Sequence, residues 1–313
     1  MKATKKKLSK KGASSLYHVM ERFPTEKSCV SHLEKLRWPS GIICPCCGST
    51  RKIYHVSRAH SYKCADCNKI FSVRKGTIFE ESRLPLLKWF AASWLVTSSR
   101  KGINSCQLAR EIGVTQKTAW FMLGRLREVA GAMGDTGGPL SGTVEADETY
   151  LGGKEKNKHF DKKLQAGRGP VGKNAVLGAK EREGRVKATA VDNTGMEELH
   201  RFVRQNVVTG SNLYTDDHRS YLGLEGYNHE RVNHSAGEYV RGQAHTNGIE
   251  SFWALLKRGY TGVFHQFTLK HLNRYLAEFS TRWNMRELNE SERLDAVLES
   301  VAGLRLTYAR LIA

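Results

Sequence analysis

Apolar residues in the segment 84–130 recur at steps of three and four positions, which predicts α-helices rather than strands. Gly102 and Gly113 interrupt this periodicity and divide the segment into three stretches. Thr115 follows the second glycine and can cap a last helix that runs from Gln116 to about Ala130. A short helix, a tight turn and a second helix predict a helix-turn-helix, whose second helix offers its first side chains to the DNA major groove. A plain helical hairpin is the alternative.

The second half of the chain alternates short strand patterns with helical ones. Strands are expected at residues 143–149, 175–179, 186–191, 212–217 and 231–234, and helices at 196–206 and 245–258. This order is typical of an RNase H-like α/β domain with a mixed central sheet, in which three strands are followed by a helix, further strand structure and a last helix. A glycine-rich stretch without apolar periodicity precedes it.

The net charge of +19 lies almost entirely in the first half of the chain. Residues 1–140 hold 25 basic and 9 acidic side chains, whereas residues 141–313 hold 25 and 22. A basic segment of this size attracts polyanions by Coulomb force and counterion release, so nucleic acid is the expected partner. Together with the predicted helix-turn-helix, this favours double-stranded DNA. For the lysine-rich arm Lys2–Lys11 taken alone, a solvated basic face is the favoured interpretation. A membrane surface fits less well, because no basic amphipathic helix with an aromatic face is present in the sequence.

The composition is otherwise that of an ordinary globular protein, with 40% hydrophobic and 26% charged residues. This excludes a mainly disordered or collagen-like chain. The longest apolar stretch, Trp89–Val96, is too short to span a membrane, and no apolar signal region follows the first lysines. Seven cysteines, an odd number without an export signal, indicate a cytoplasmic location and metal binding rather than disulfides.

Two CxxC pairs predict a structural zinc site. Cys44 and Cys47 form the first pair, and Cys64 and Cys67 form the second. Two such turns facing each other close a tetrahedral four-sulfur site with Zn–S bonds of about 2.3 Å. The aromatic and β-branched residues around them are typical of the short strands of a zinc ribbon, which is too small to fold without its metal. A redox site is the alternative, but it requires only one pair.

The other three cysteines are not expected to bind the metal. Cys46 is a possible ligand in a shifted register, but Cys44 is the better spaced partner of Cys47. Cys29 and Cys106 are expected to be buried apolar side chains.

Three widely separated acids predict a second metal site, of another kind. Asp147 and Asp216 lie near the ends of two predicted strands, and Glu250 lies on the last helix. Two Mg²⁺ ions about 3.5–4 Å apart, held by carboxylates, can neutralise the attacking and leaving oxygens of a phosphodiester. Lys257 follows Glu250 by two helical turns and can hold a phosphate, whereas Asn247 precedes it by one turn and can touch metal or DNA.

Each of these acids has a simpler explanation when it is taken alone. A strand-end Asp usually forms a turn, and a helical Glu is usually solvated. Glu145, Glu148 and Asp217 compete locally for the same role, and strand alternation places Glu145 on the same face as Asp147, as a supporting acid. Three histidines near the proposed site have ambiguous roles: His218, His234 and His245.

The predicted helix-turn-helix also supplies candidate DNA contacts. Gln116, Lys117 and Thr118 occupy the first turn of its second helix, where base edges are read. Arg125 and Arg127 lie further along the same helix and are expected to reach phosphates.

Four segments carry a resemblance to a known family. They read DETYLGGK at 147–154, YTDDHRSY at 214–221, HTNGIESFWALLKRG at 245–259 and YLAEFSTRWN at 275–284. Together they resemble the bacterial insertion-sequence transposases of the zinc-ribbon, ISXO-type group. The similarity extends from the cysteines to about Asn284, and the third segment is its most specific part.

This resemblance implies an RNase H-like DDE catalytic domain that uses Mg²⁺ or Mn²⁺. It also implies DNA cleavage followed by strand transfer, carried out by a homo-oligomer on the DNA. By position in the motifs, the implied acids are Asp147, Asp216 and Glu250, with Lys257 as the accompanying basic residue. Two alternatives remain, namely a structure-selective nuclease on the same fold and a non-catalytic DNA-binding regulator derived from a transposase.

The sequence thus predicts an α+β multidomain protein. Its expected parts are a basic arm (1–25), a zinc ribbon (26–80), a helix-turn-helix (81–133), a linker (134–142), an RNase H-like catalytic domain (143–290) and a C-terminal helical tail (291–313).

Overall fold

The computed structural model describes residues 15–56, 60–153, 157, 159–164, 170–232 and 245–313. The chain forms two compact units. The first contains the described residues up to Ser98 together with Leu288–Arg305, and the second contains Ser99–Glu287 together with Leu306–Ala313. The predicted lysine arm, Lys2–Lys11, lies outside the described residues.

The helices and strands follow one another in a simple order along the chain. They are α1 (Leu16–Arg22), α2 (Glu26–Arg37), β1 (Ile53–His55), β2 (Tyr62–Cys64), β3 (Ile70–Phe71), α3 (Leu86–Ser98), α4 (Ser105–Ile112), α5 (Gln116–Asp135), β4 (Thr143–Leu151), β5 (Asn174–Glu181), β6 (Val186–Val191), α6 (Met196–Asn206), β7 (Asn212–Asp216), β8 (Asn228–Val232), α7 (Asn247–Gly259), α8 (Leu269–Asn284), α9 (Glu290–Glu299) and α10 (Tyr308–Ile312). Short 3₁₀ turns occur at Phe160–Lys162 and Arg219–Tyr221, and a π-helical turn, Tyr260–Phe264, follows α7.

The first unit joins a small antiparallel sheet, β1–β2–β3, to helices α1, α2, α3 and α9. Helix α3 is apolar on most sides and lies at the centre, where Leu86, Trp89 and Phe90 are buried. It packs against the three other helices. Helix α2 begins with a capping box, in which the side chains of Thr25 and Ser28 accept hydrogen bonds from each other's backbone N–H groups. The strands confirm the prediction around the second cysteine pair, whereas α1 and α2 were not predicted.

The second unit is built on a five-stranded mixed sheet in the order β6–β5–β4–β7–β8. Strand β4 pairs antiparallel with β5 on one side and parallel with β7 on the other. The predicted mixed sheet is therefore confirmed, but β8 (Asn228–Val232) starts three residues earlier than the sequence predicted. Val232 is the only residue of β8 that is buried, so the strand carries almost no apolar pattern.

Helices cover both faces of this sheet, as the alternation of side chains along each strand requires. Val144 and Ala146 of β4 face one core, which contains α6 and the fully buried ring of Tyr221. Leu151, at the end of β4, faces the other core, which contains α7 and α8, with Trp253 among its buried residues. The acids of β4 are thus distributed between two differently packed faces.

Helices α4 and α5 belong to the second unit and pack against each other. Gly113 ends α4 in the left-handed conformation, at φ 64°, and Thr115 caps α5 through its side chain, as the sequence predicted. Helix α5 is five residues longer than predicted, because it continues through Gly131 and Gly134 to Asp135. The first residues of the expected linker are therefore helical.

Candidate metal centres and nucleic-acid contacts

The four cysteines of the two CxxC pairs meet in the first unit. Cys44 and Cys67 are 3.7 Å apart between their Sγ atoms, and the same distance separates Cys47 from Cys64. All four sulfur atoms lie within 4.8 Å of one another. A tetrahedron with Zn–S bonds of about 2.3 Å has edges of about 3.8 Å, so these four thiols fit a zinc ion.

The remaining cysteines lie apart from this group. Cys46 lies within the first turn of the site, between Cys44 and Cys47, but is not one of the clustered thiols. Cys29 is fully buried in α2, as predicted, and burial raises the pKa of its thiol to about 12. The prediction that Cys106 is buried is wrong, because it occupies the solvent side of α4.

A second cluster of possible ligands consists of three carboxylates in the second unit. Asp147 and Glu148 are adjacent on β4, and Asp216 is the last residue of β7. One oxygen from each lies within 4.8 Å of the others. The pairing of β4 with β7 covers Thr143–Glu145, so the three acids lie just beyond the paired stretch. Both neighbouring acids of β4 can therefore reach the same space.

The negative charges of the three acids repel one another. Burial, followed by the negative charges of Glu148 and Asp216, raises the pKa of Asp147 to about 7. Burial and the charge of Asp216 likewise raise the pKa of Glu148 above its usual value. Carboxylates that repel one another in this way are stabilised by a divalent cation, and three oxygen donors suit Mg²⁺ or Mn²⁺.

Two residues of the segment that follows β7 contact the cluster. Tyr221 donates a hydrogen bond from its hydroxyl to Glu148 Oε2 at 3.1 Å. Burial and the surrounding acids raise the pKa of Tyr221 well above its usual value, so the phenol remains a donor. The backbone N–H of His218 binds Asp216 Oδ1 at 3.1 Å, and the His218 ring lies 3.9 Å from Glu148 Oε1.

Glu250 is not part of the three-carboxylate cluster found among the described residues. It lies in the first turn of α7 on the exposed side of the helix, where its Oε1 accepts a hydrogen bond of 3.0 Å from Thr246. Asn247 and Lys257 are exposed on the same helix. The structure thus brings together Asp147, Asp216 and a different acid, Glu148.

Helix α7 is nevertheless attached to β4 at two points beside the cluster. The backbone N–H of Ile249 donates to Glu145 Oε2 at 2.9 Å, and the indole Nε1 of Trp253 donates to Asp147 Oδ2 at 2.9 Å. Glu145 is buried, and it faces Arg182 and His245, each 3.5 Å from its Oε1. The third histidine considered in the sequence, at position 234, lies outside the described residues.

The predicted DNA contacts on α5 fall into two groups. Gln116 and Lys117 are exposed in the first turn, and Thr118 beside them is half-buried. Arg125 and Arg127 are buried, with 6% and 5% of their surface exposed. Their guanidinium groups bind inside the protein, so the prediction that they reach phosphates is not retained.

The two buried arginines stabilise the packing around α5. Arg125 Nε donates to the carbonyl of Leu306 at 3.0 Å, and Arg127 Nε donates to Glu278 at 2.7 Å. Helix α5 is enclosed by α4, α8 and α10, a degree of burial that the sequence did not indicate.

Two family models match the chain. The ISXO2-like transposase domain matches residues 139–284, and the transposase zinc-ribbon domain matches residues 24–70. A protein of the transposable element ISH50 from Halobacterium salinarum is 30% identical over 299 residues, which cover 90% of this chain and 98% of that protein. The chain belongs to the ISXO2-like transposase family. A transposase-like protein from Haemophilus influenzae is 32% identical over 106 residues, which cover 33% of this chain and 85% of that protein.

No solved structure matches this transposase significantly. The zinc-ribbon match contains all four clustered cysteines, and the transposase-domain match contains Asp147, Glu148, Asp216, Glu250 and Lys257. Among the described helices of the transposase, none combines the length and apolarity needed to cross a lipid bilayer.

Proposed function

We propose that this member of the family is an active DNA transposase, which cuts the ends of its element and joins them to target DNA. The observation that carries the proposal is the convergence of Asp147, Glu148 and Asp216 within the matched transposase domain. The order of the five strands, with β4 central and β5 antiparallel to it, supports an RNase H-like sheet.

Asp147 and Asp216 would hold the divalent cations, Mg²⁺ or Mn²⁺, and Glu148 would share this task. The raised pKa values of Asp147 and Glu148, and the oxygen donors of all three acids, suit such ions. When bound, a pair of ions supplies charge neutralisation on the attacking and leaving oxygens of the phosphodiester. The side chains of the protein position the cations and the DNA, and none of them acts as a nucleophile.

Helix α7 would complete the site from its exposed face. Glu250 is proposed as the third acid of the family pattern and Lys257 as the group that holds a DNA phosphate, two turns along the helix. Asn247 lies one turn before Glu250 and is proposed to contact DNA or metal. DNA bound along this exposed face would thus lie against the acids of β4 and β7.

DNA recognition is proposed for the basic half of the chain. The zinc ribbon and the candidate helix-turn-helix formed by α4 and α5 would bind the repeated ends of the element, with Gln116, Lys117 and Thr118 at the base edges. The charge of residues 1–140 supports this role, since 25 basic residues there outnumber 9 acidic ones. A homo-oligomer would hold two ends together.

The proposed reaction has two steps of the same type. A water molecule attacks the phosphorus at the element end, the P–O bond to the 3′ oxygen breaks, and that oxygen leaves with a proton as a 3′-hydroxyl. This hydroxyl then attacks a phosphorus of the target strand, from which another 3′ oxygen departs. No covalent bond between protein and DNA forms in either step.

The experiment that tests the proposal uses DNA carrying the ends of the element, with Mg²⁺. We expect the wild type to nick the ends and to join a pre-cleaved end to target DNA, and Asp216→Asn to bind the same DNA without cutting it. Cleavage without joining would favour a nuclease on the same fold. Cleavage by Asp216→Asn equal to that of the wild type would contradict the metal site, and DNA binding without any cleavage would favour a regulator.

A further inference from the structure

The indole of Trp253 bonds directly to one acid of the carboxylate cluster. Trp253 is buried in α7, with 4% of its surface exposed, and its Nε1 donates to Asp147 Oδ2 at 2.9 Å. A carboxylate offers two oxygens, so this bond engages one oxygen of Asp147 and fixes the direction of the other. A buried indole N–H usually has an acceptor, but here the acceptor is a proposed metal ligand.

A glycine in the neighbouring strand creates the space for this indole. Gly178 of β5 is the residue directly opposite Asp147 in the antiparallel pair. A Cβ atom placed on Gly178 would lie 2.5 Å from two carbons of the six-membered ring of Trp253 and 3.2 Å from Ile249 Cδ1. The ring therefore lies directly against the backbone of β5, and a larger residue at position 178 would displace it.

A second contact fixes the same helix one turn earlier. Glu145 Oε2 accepts the backbone N–H of Ile249 at 2.9 Å, and Gly248 permits this approach, since a Cβ there would lie 2.6 Å from the same oxygen. Helix α7 is thus held against β4 at Glu145 and at Asp147. Because Glu250 lies between the two anchored residues, Ile249 and Trp253, the same contacts fix where Glu250 stands relative to β4.

We propose that Trp253 is a positioning residue of the metal site: its indole N–H orients Asp147 toward the cation, and Gly178 provides the space that this geometry requires. The inference rests on the proposed metal-binding function of the cluster. A hydrogen bond to a metal-binding carboxylate fixes its orientation, and loss of such a contact commonly weakens metal binding 10- to 100-fold.

The test is a Mn²⁺ titration of the full, zinc-loaded chain, read by electron paramagnetic resonance of the free ion. Trp253→Phe keeps an aromatic ring in the core but removes the donor. Trp283→Phe is the matched control, because Trp283 packs on Phe252 in the same core and its Nε1 has no hydrogen-bond partner among the described residues. Asp147→Asn reports whether the bound Mn²⁺ occupies this site.

We expect Trp253→Phe to weaken Mn²⁺ binding about tenfold, whereas Trp283→Phe stays within about twofold of the wild type. If Trp253 has a purely structural role, Trp253→Phe and Trp283→Phe will both have lower melting temperatures and unchanged Mn²⁺ affinities. That result would overturn the positioning role of Trp253 but not the proposed metal site. If Asp147→Asn binds Mn²⁺ as the wild type does, the proposed metal site itself is wrong, and the inference is overturned with it.

A measurement on the wild type avoids any dependence on the folding of the variants. Addition of Mg²⁺ should shift the indole N–H resonance of Trp253 in a nitrogen-15 spectrum, and should leave that of Trp283 in place. Gly178→Ala should weaken Mn²⁺ binding in the same direction as Trp253→Phe. A Trp253 resonance that does not respond to saturating Mg²⁺ would contradict the inference.

Discussion

Tyr221 is fully buried, yet its hydroxyl donates a hydrogen bond to Glu148 Oε2 across 3.1 Å. Tyr221 belongs to the 3₁₀ turn that follows β7, so this bond connects the turn after Asp216 to the acid next to Asp147. Glu148 and Asp216 are therefore both bound by the turn after β7, whereas Asp147 is bound by Trp253 of α7. Glu148 is one of the three clustered acids, although its position in the sequence gave no reason to prefer it over Glu145.

Removal of the phenol oxygen should loosen this arrangement. We expect Tyr221→Phe to weaken Mn²⁺ binding about tenfold, because an oriented acid next to the cation loses its donor. We also expect the free energy of unfolding of the metal-free protein to change by at most about 1.5–3 kcal/mol, the range for a hydrogen bond to a charged group. Mn²⁺ titration and denaturant unfolding of the same sample measure both effects. Unchanged Mn²⁺ affinity would show that Glu148 needs no such support.

Glu148 and Glu250 should differ in the absence of DNA. Glu148→Gln is expected to weaken Mn²⁺ binding by about 10- to 100-fold, because it removes a charge from the cluster. Glu250→Gln should bind Mn²⁺ nearly as the wild type does, since Glu250 lies outside the cluster, and should nevertheless fail to cut DNA. Asp217→Asn is the control, because Asp217 is exposed and pairs with Arg231. If Glu250→Gln weakened Mn²⁺ binding more than Glu148→Gln did, Glu148 would not belong to the proposed metal site.

Zinc should be required for the first unit to fold. Cys64→Ser is expected to lose its stoichiometric zinc and the cooperative unfolding of that unit, because the small β1–β3 sheet buries too little apolar surface alone. Cys46→Ser is the control and should keep its zinc, since Cys46 lies outside the four clustered thiols. Metal content by mass spectrometry and calorimetry distinguish the two. Loss of zinc from Cys46→Ser would mean that the ligand set is different.

A buried cluster of charges should dominate the packing of α5 on α8. Glu278, which is 3% exposed, accepts hydrogen bonds from Arg127 and Arg282. Glu278→Ala leaves two buried guanidinium groups without their carboxylate, so we expect a loss of about 3–5 kcal/mol in the free energy of unfolding.

The control variant removes a more exposed ion pair, Glu128–Arg274, which connects the same two helices, α5 and α8. Glu128 accepts from Arg274 Nε at 2.7 Å, but both side chains are about one quarter exposed. Glu128→Ala should therefore cost less than about 1 kcal/mol. Denaturant unfolding of the two variants checks the difference, and equal losses would contradict the importance of burial here.

Some of these features could be predicted from the sequence, because their patterns are local. The spacing of Cys44, Cys47, Cys64 and Cys67 is sufficient to indicate a metal site, whatever the rest of the chain does. The capping residue Thr115 and the stop at Gly113 marked the helix boundaries for the same reason. Helix α2 also begins with a capping box, but its Thr25 and Ser28 precede no strong apolar stripe, and it was not predicted.

Other features depend on packing between distant segments. Arg125 and Arg127 resemble surface residues in the sequence, and only the approach of Leu306 and Glu278 explains their burial. The choice of Glu148 depends on where β7 stops pairing with β4, and on Tyr221, neither of which is visible in a strand pattern. The spacing of the motifs therefore did not distinguish Glu148 from the other nearby acids. The pairing of β4 with β7 explains why Glu148 joins Asp147 and Asp216.

Acid should destabilise the first unit through Asp295. Burial opposes ionisation of this side chain, but hydrogen bonds from His32 and Arg22, each 2.8 Å long, hold its pKa below the usual value. A lowered pKa in the folded state adds stability at pH values above the unfolded pKa of about 4, and this stability disappears as the pH falls through the folded value.

We therefore expect Asp295→Asn to be less stable than the wild type at pH 6, and the difference to shrink steadily below pH 4. Glu299→Gln, an exposed change on the same helix, is the control and should follow the wild type. Unfolding of each protein across this pH range gives the comparison. A difference that is constant with pH would show that the pairing of Asp295 contributes nothing through its charge.

Asp147, Glu148 and Asp216 are proposed to hold the cation that acts on DNA. The most direct measurement is anomalous scattering from crystals of the protein grown with Mn²⁺. We expect a manganese peak about 2.1 Å from oxygens of Asp147 and Asp216. Manganese bound elsewhere, with these carboxylates free of metal at saturating Mn²⁺, would contradict it.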